Sequence, residues 1–402
     1  MLIKKRTPRL YGTVEAGFEN VMDAFRDNFE RRGETGAACA VSINGRLVVD
    51  LWGGYSDPER GREWESDTLV PVFSSTKGFA ALAAAVAHSR GRFSYDDPVA
   101  KHWPEFARNG KERITIRQLL AHQAGLSALD AFRFRSFGDL DTSAIRNELA
   151  AMKPAWTPGT AHGYHTWTIG WFIAELVRRT DPRGRSLGAF LQEEIAGPLE
   201  AEFYIGLPPD VPDSRLAKVK GIDSPLQLLF RLHEIPVPLL LGFANPKSLT
   251  SRSMMDADRL VANGNFNRRD MLAIEFPSGN GVGNVRGMAN IYGTFASGGS
   301  KLRLTAETLE ELRRPAVAPA NGWFDLVNRT ELGYSLGFWK PIASRRFGNS
   351  LAAYGHPGAG GSFCFADPDI GLGYAYAMNQ IGGYMDRNPR ENALRKAVYS
   401  CL

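Results

Sequence analysis

The sequence predicts an α/β protein in which a sheet domain is built from both ends of the chain and a mostly helical domain is inserted between them. Three observations carry this. Residues 36–55 read as two β-rich runs flanking Asn44-Gly45, a strong hairpin signal. Residues 351–379 repeat that style around GHPGAGGS and the turn DPDIG. The helical periods fall mainly in the middle of the chain. The expected division is 1–73 with 285–402 for the sheet domain, and 74–284 for the helical one. Within the latter, about 205–280 is rich in Pro, Gly and Asn and reads as a loop-rich cover.

Taken in order, residues 15–32 place Phe18, Val21, Met22, Phe25 and Phe29 at steps of three and four, which is an amphipathic helix. Gly33 stops it. Residues 75–90 are Ala-rich and helical. Further helices are expected at 114–121, 167–179, 187–195, 285–296 and 389–400. There is no internal repeat.

Composition narrows the class. The chain has 402 residues, 44% apolar and 23% charged, which is ordinary globular usage. It has 48 Lys+Arg against 43 Asp+Glu, a net charge of +5, with no dense basic tract, so nucleic acid is not an expected partner. Cys39, Cys364 and Cys401 are far apart and show no CxxC spacing. A disulfide framework or structural zinc site is therefore not expected, and a reducing compartment is favoured. The start MLIKKRTPRLYG is basic but lacks an apolar run after it. The apolar stretch Leu226 to Phe243 is broken by charges and prolines, so it does not read as a membrane span. A cytoplasmic protein is expected, and self-association is left open.

Three serines compete as nucleophile. Ser186 and Ser335 sit in GxSxG strings, a motif that needs a strand before it and a helix after it. Ser186 lacks the strand and Ser335 lacks the helix, so a helix-start serine and a strand serine are expected. Ser74 has a lysine three residues on, Lys77, in VPVFSSTKGFAALAAAVAH. Residues three apart on a helix share a face. The segment after Lys77 is almost uncharged, as in a buried helix. Desolvation and the positive helix N-terminus both disfavour an ammonium there. A lysine that loses its proton near neutral pH can act as base for the serine. Tyr164 follows a Pro-Gly turn and precedes a helix, where a phenol can reach a site. His356-Pro357-Gly358 opens a glycine-rich strand that a ligand can approach closely. His122 and His162 lie forty residues apart without an acidic partner in register and read as structural rather than metal ligands. The apolar stretch 224–243 is expected either to line an acyl pocket, to lie on a membrane, or to pack on its own protein as a lid.

Ser-x-x-Lys, then a tyrosine loop, then a [His/Lys]-x-Gly strand in this order resembles the serine β-lactamase and penicillin-binding-protein superfamily. The resemblance is strongest to its class C-like branch, which includes family VIII carboxylesterases and LACTB-type proteins. LLAHQAGL (119–126) and NIYGTFASGG (290–299) extend it over most of the chain. The resemblance implies an antiparallel sheet flanked by helices, an all-α domain, and a site at their junction. It implies Ser74 as acylated nucleophile, Lys77 as its base, and Tyr164 as partner in proton transfer. It further implies an oxyanion hole from the backbone amides of Ser74 and Ala359, with His356 and Gly358 contacting substrate. Gln123 and Trp339 are added as substrate-binding candidates. No metal or cofactor is implied.

Two departures from the family pattern matter. Tyr-x-Asn is Tyr164-His165-Thr166 here, and the lysine of Lys-Thr-Gly is His356. Loss of the amide-binding asparagine and of a permanent positive charge favours an uncharged ester with a better leaving group as substrate. The alternatives are a β-lactamase, a D-amino-acid peptidase or amidase, an acyltransferase, or a filament-forming protein without useful catalysis.

Overall fold

The computed structural model describes residues 8–129, 142–221, 232–254, 265–384 and 387–402. Its main sheet has nine strands, β1 (Leu10–Val14), β2 (Gly36–Ile43), β3 (Arg46–Asp57), β4 (Arg62–Glu63), β5 (Gly333–Ser335), β6 (Phe338–Lys340), β7 (Tyr354–Pro357), β8 (Phe363–Asp367) and β9 (Leu372–Met378). The spatial order is β1-β3-β2-β9-β8-β7-β6-β5, every pair antiparallel, with β4 alongside β3. Strands from both ends of the chain thus meet at the centre, where β2 pairs with β9. The β2–β3 turn has both central residues in the left-handed region, Asn44 at φ +50° and Gly45 at φ +78°. That is the backbone a two-residue hairpin needs, and it explains the Asn-Gly pair.

Alternation along the strands assigns two unlike faces. On one face lie Cys39, Val41, Val49, Phe365, Tyr374 and Tyr376, packed under helices α1 (Glu19–Arg31) and α5 (Pro389–Ser400). The other face is mostly small: Ala38, Ala40, Cys364, Ala366, Ala375 and Ala377. Small side chains there let helix α4 (Val285–Ala296) approach closely. A Cβ on Gly373 would sit 2.1 Å from Gly293 N and 2.4 Å from Ala289 O.

Helix α2 (Thr76–Ser89) is buried from Thr76 to His88. It packs on α3 (Thr168–Thr180) and begins near β7, so it joins the helical layer to the sheet. The expected helix at 187–195 divides. Leu187–Leu191 is α-helical, capped by the Ser186 side chain, and Gln192–Ala196 opens into a wider turn closed by Gly197 N on Gln192 O. Ser335 lies in β5. The stretch 205–280 contains short helices at Val237–Ala244, Leu249–Met254 and Arg269–Leu272. Part of the apolar stretch 224–243, up to residue 231, lies outside the described residues. No helix among the described residues is long and apolar enough to cross a membrane.

Candidate active site

The chain reaches Ser74 through a sharp turn. Phe73 has φ +50°, a left-handed conformation that costs a non-glycine residue energy and is held only by its surroundings. The turn Phe73–Ser75 leads directly into α2. One helical step of three residues then sets Lys77 Nζ 2.9 Å from Ser74 Oγ. Lys77 Nζ also donates to Ser278 O at 2.6 Å. The Lys77 side chain has no exposed surface, and burial pushes its pKa well below the usual 10.5. No carboxylate opposes that shift among the described residues. Burial thus favours the neutral amine, which can keep one N–H on Ser278 O and accept the Ser74 hydroxyl proton on its lone pair.

Tyr164 lies in the irregular segment before α3 and is 5% exposed. Lys77 Nζ sits over its ring, 5.1 Å from the centroid. Burial raises the phenol pKa, while a hydrogen bond with Ser74 pulls the other way. The phenol oxygen is 3.5 Å from His356 Nε2, at the outer limit of a hydrogen bond. His356 lies on β7, and its Nδ1 is 2.6 Å from Pro357 O. A carbonyl only accepts, so the proton belongs on Nδ1 and the lone pair of Nε2 faces the phenol. Burial first, and Lys77 second, hold the imidazole pKa well below 6.5, so His356 is neutral.

Beyond β7 the chain folds into a tight turn. Gly358 N donates to Ser362 O at 2.7 Å, and Gly361 N donates to Gly358 O at 3.2 Å. The Gly358 carbonyl thus points into the turn. In a trans peptide the next N–H points the opposite way, which directs the Ala359 N–H out of the turn. Ser74 and Ala359 line the same cavity. A Cβ on Gly358 would lie 2.2 Å from Ser362 Oγ and 2.3 Å from Val72 O, so glycine is required there.

The cavity has a volume of about 200 Å³. Around Ser74, Tyr164 and His356 its walls are Phe73, Trp167, Phe243, Met254, Phe266 and Trp339. No Asp, Glu, Lys or Arg is among the described lining residues. Of the residues expected from sequence, Ser74, Tyr164, His356, Gly358, Ala359 and Trp339 line it, with Lys77 behind Ser74. Gln123 does not, and its Nε2 instead donates to Val317 O at 3.4 Å. Phe243 brings the end of the apolar stretch into the wall, on a helix whose Val237 and Leu241 are exposed. Ser278, Met254 and Phe266 had no local signal, because their roles arise from tertiary packing alone. His122 Nδ1 accepts from His165 N at 3.0 Å, and His162 Nε2 donates to Trp323 O at 2.8 Å. No group of three or more His, Cys, Asp or Glu is placed to hold a metal among the described residues.

A buried SxxK pair at the start of an internal helix, a tyrosine and the glycine-rich end of an interior strand meet at one cavity, the arrangement expected of a serine acyl-transfer site. The chain belongs to the Beta-lactamase family, whose model matches residues 18–399. A named relative is Esterase/beta-lactamase LipL of Mycobacterium tuberculosis, 32% identical over 93% of this chain and 83% of its own. Among solved structures, a family VIII carboxylesterase superposes with a TM-score of 0.85 at 35% identity, covering 98% of this chain and 100% of that one. EstA from Arthrobacter nitroguajacolicus Rue61a follows the same course with a TM-score of 0.79 at 31% identity, over 97% and 99%.

Proposed function

We propose that this protein hydrolyses small, uncharged carboxylic esters through an acyl-Ser74 intermediate. The observation that carries the reading is the wholly buried Lys77 amine set against the Ser74 hydroxyl without a carboxylate partner. As Ser74 Oγ attacks the ester carbonyl, its proton passes to Lys77 Nζ. The developing oxyanion is held by the N–H groups of Ser74 and Ala359, which typically contribute about 3–4 kcal/mol each to barrier lowering. The leaving alkoxide takes the Tyr164 phenol proton, which Lys77 replaces. Water then enters, gives its proton to the same pair and attacks the acyl carbonyl. The intermediate collapses to free acid, and Ser74 Oγ regains its proton. His356, neutral, holds the phenol from its far side.

The walls support an ester over an anionic β-lactam or a peptide carboxylate. The described lining offers no cation to pair with a substrate carboxylate. The relatives named esterase or carboxylesterase point the same way. A cavity of about 200 Å³ lies below the usual 300–1,000 Å³ range of ligand pockets, which favours short or small aromatic acyl groups. The three free cysteines suit a cytoplasmic setting.

The test is an ester panel on wild type and Ser74→Ala. Wild type should cleave p-nitrophenyl butyrate faster than the laurate, and both faster than nitrocefin or D-amino-acid amides. Ser74→Ala should lose hydrolysis, while Ser186→Ala and Ser335→Ala keep it. Activity surviving in Ser74→Ala removes the reading.

A further inference from the structure

We infer that Ser362 is a positioning residue for the oxyanion hole, setting the gap between its two donor-bearing turns. The inference rests on the reading of Ser74 as nucleophile. One donor, the Ser74 N–H, rides on the turn Phe73–Ser75, and the other, the Ala359 N–H, rides on the turn after β7. The two turns lie almost 290 residues apart in sequence, so nothing covalent fixes their spacing.

Ser362 is 1% exposed and spans them. Its Oγ donates to Val72 O at 2.9 Å and lies 3.2 Å from Ser75 Oγ. Val72 immediately precedes the nucleophile turn and Ser75 closes it. With the Ser362 proton committed to Val72 O, the Ser75 hydroxyl is the donor in the second bond. The backbone of Ser362 works on the other turn, where its O takes the Gly358 N–H at 2.7 Å. Among the described residues these are the side-chain hydrogen bonds that join the two turns. The far end of the second turn is anchored separately. Gly360 O accepts from Asn388 Nδ2 at 2.9 Å and Arg390 Nη2 at 3.2 Å, and Arg390 in turn pairs with buried Glu34. One end of the turn is thus tied to the protein body and the other to the nucleophile.

Oxyanion donors act only when they sit within hydrogen-bond reach of where the charge develops. Displacing one wall leaves ground-state binding intact, because the apolar cavity holds the acyl group. The loss then falls on kcat rather than KM.

The experiment compares wild type, Ser362→Ala, Ser362→Cys and Ser74→Ala on p-nitrophenyl butyrate. Rates are normalised to active sites by the end point of fluorophosphonate labelling, and the Kd of phenylboronic acid, which mimics the tetrahedral state, is measured alongside. Ser362→Ala should lower kcat about tenfold or more, shift KM less than about twofold, and weaken the boronate by the same factor as kcat. Ser362→Cys, a similar volume with a weaker donor, should fall between the two and serves if Ser362→Ala does not fold. A kcat and boronate Kd within twofold of wild type in the folded variant, with Ser74→Ala inactive, overturns this inference alone. Activity in Ser74→Ala overturns the underlying function instead.

Discussion

At the scale of single residues, the proposed reaction depends on a lysine deprived of water. An exposed lysine is charged below about pH 10.4 and useless as a base. Burial of Lys77 reverses that by disfavouring the ammonium. The working form is the deprotonated one, so kcat/KM should fall as pH drops through the lowered Lys77 pKa. It should stay level above that point, because the Tyr164 phenol is pushed up past its ordinary 10 and keeps its proton. A pH–rate profile with an acid limb and no alkaline limb below pH 10 is expected. Lys77→Arg keeps a cation but cannot give up a proton, and should lower kcat/KM by about 10²–10⁴-fold. Ser74, Lys77, Tyr164 and His356 could be singled out in the sequence because each belongs to a short motif, and the structure brings them together around one cavity. Ser278 and Ser362 could not. One acts through its carbonyl and the other bridges segments far apart in the chain, and neither contact leaves a local pattern.

At the scale of elements, what was legible followed local chemistry. The Asn44-Gly45 turn, the Ala-rich helix α2, and α5 with Pro389 as its first residue all lie where their capping and turn residues put them. The wide turn at Gln192–Ala196 was not foreseen, because apolar spacing does not distinguish it from a continued α-helix. Sheet order was equally hidden, since β-strand patterning says which face is buried but not which strand is the neighbour. Helix α4 packs closely on β9. Gly373→Ala would press a methyl into the backbone of Gly293 and Ala289, and should destabilise the protein by about 1–3 kcal/mol in denaturant titration. The ester turnover of the folded fraction should be unaffected.

At the scale of the whole molecule, three buried histidines link stability to acidity. His122 and His356 are held well below 6.5 and His165 at about 4, burial being the first cause in each. Once unfolded, each would titrate near 6.5. Between about 6.5 and 4 the unfolded chain therefore binds more protons than the native one, and stability falls as pH falls. With all three neutral in the native state, the slope approaches about 4 kcal/mol per pH unit. Thermal midpoints measured down this range should drop steeply, and a flat profile would contradict the buried neutral assignments.

The pairing of β2 with β9 has a consequence for how the chain is made. Residues 36–43 pair with β3 across a two-residue turn, but their neighbour on the other side is available only when residues 372–378 emerge. Until those residues emerge, the interior strand of the sheet has an open edge, and a message cut short before them yields a polypeptide with no closed centre. Such products would be left to chaperones and proteases, and a stop codon before residue 372 should abolish activity as fully as the proposed loss of Ser74.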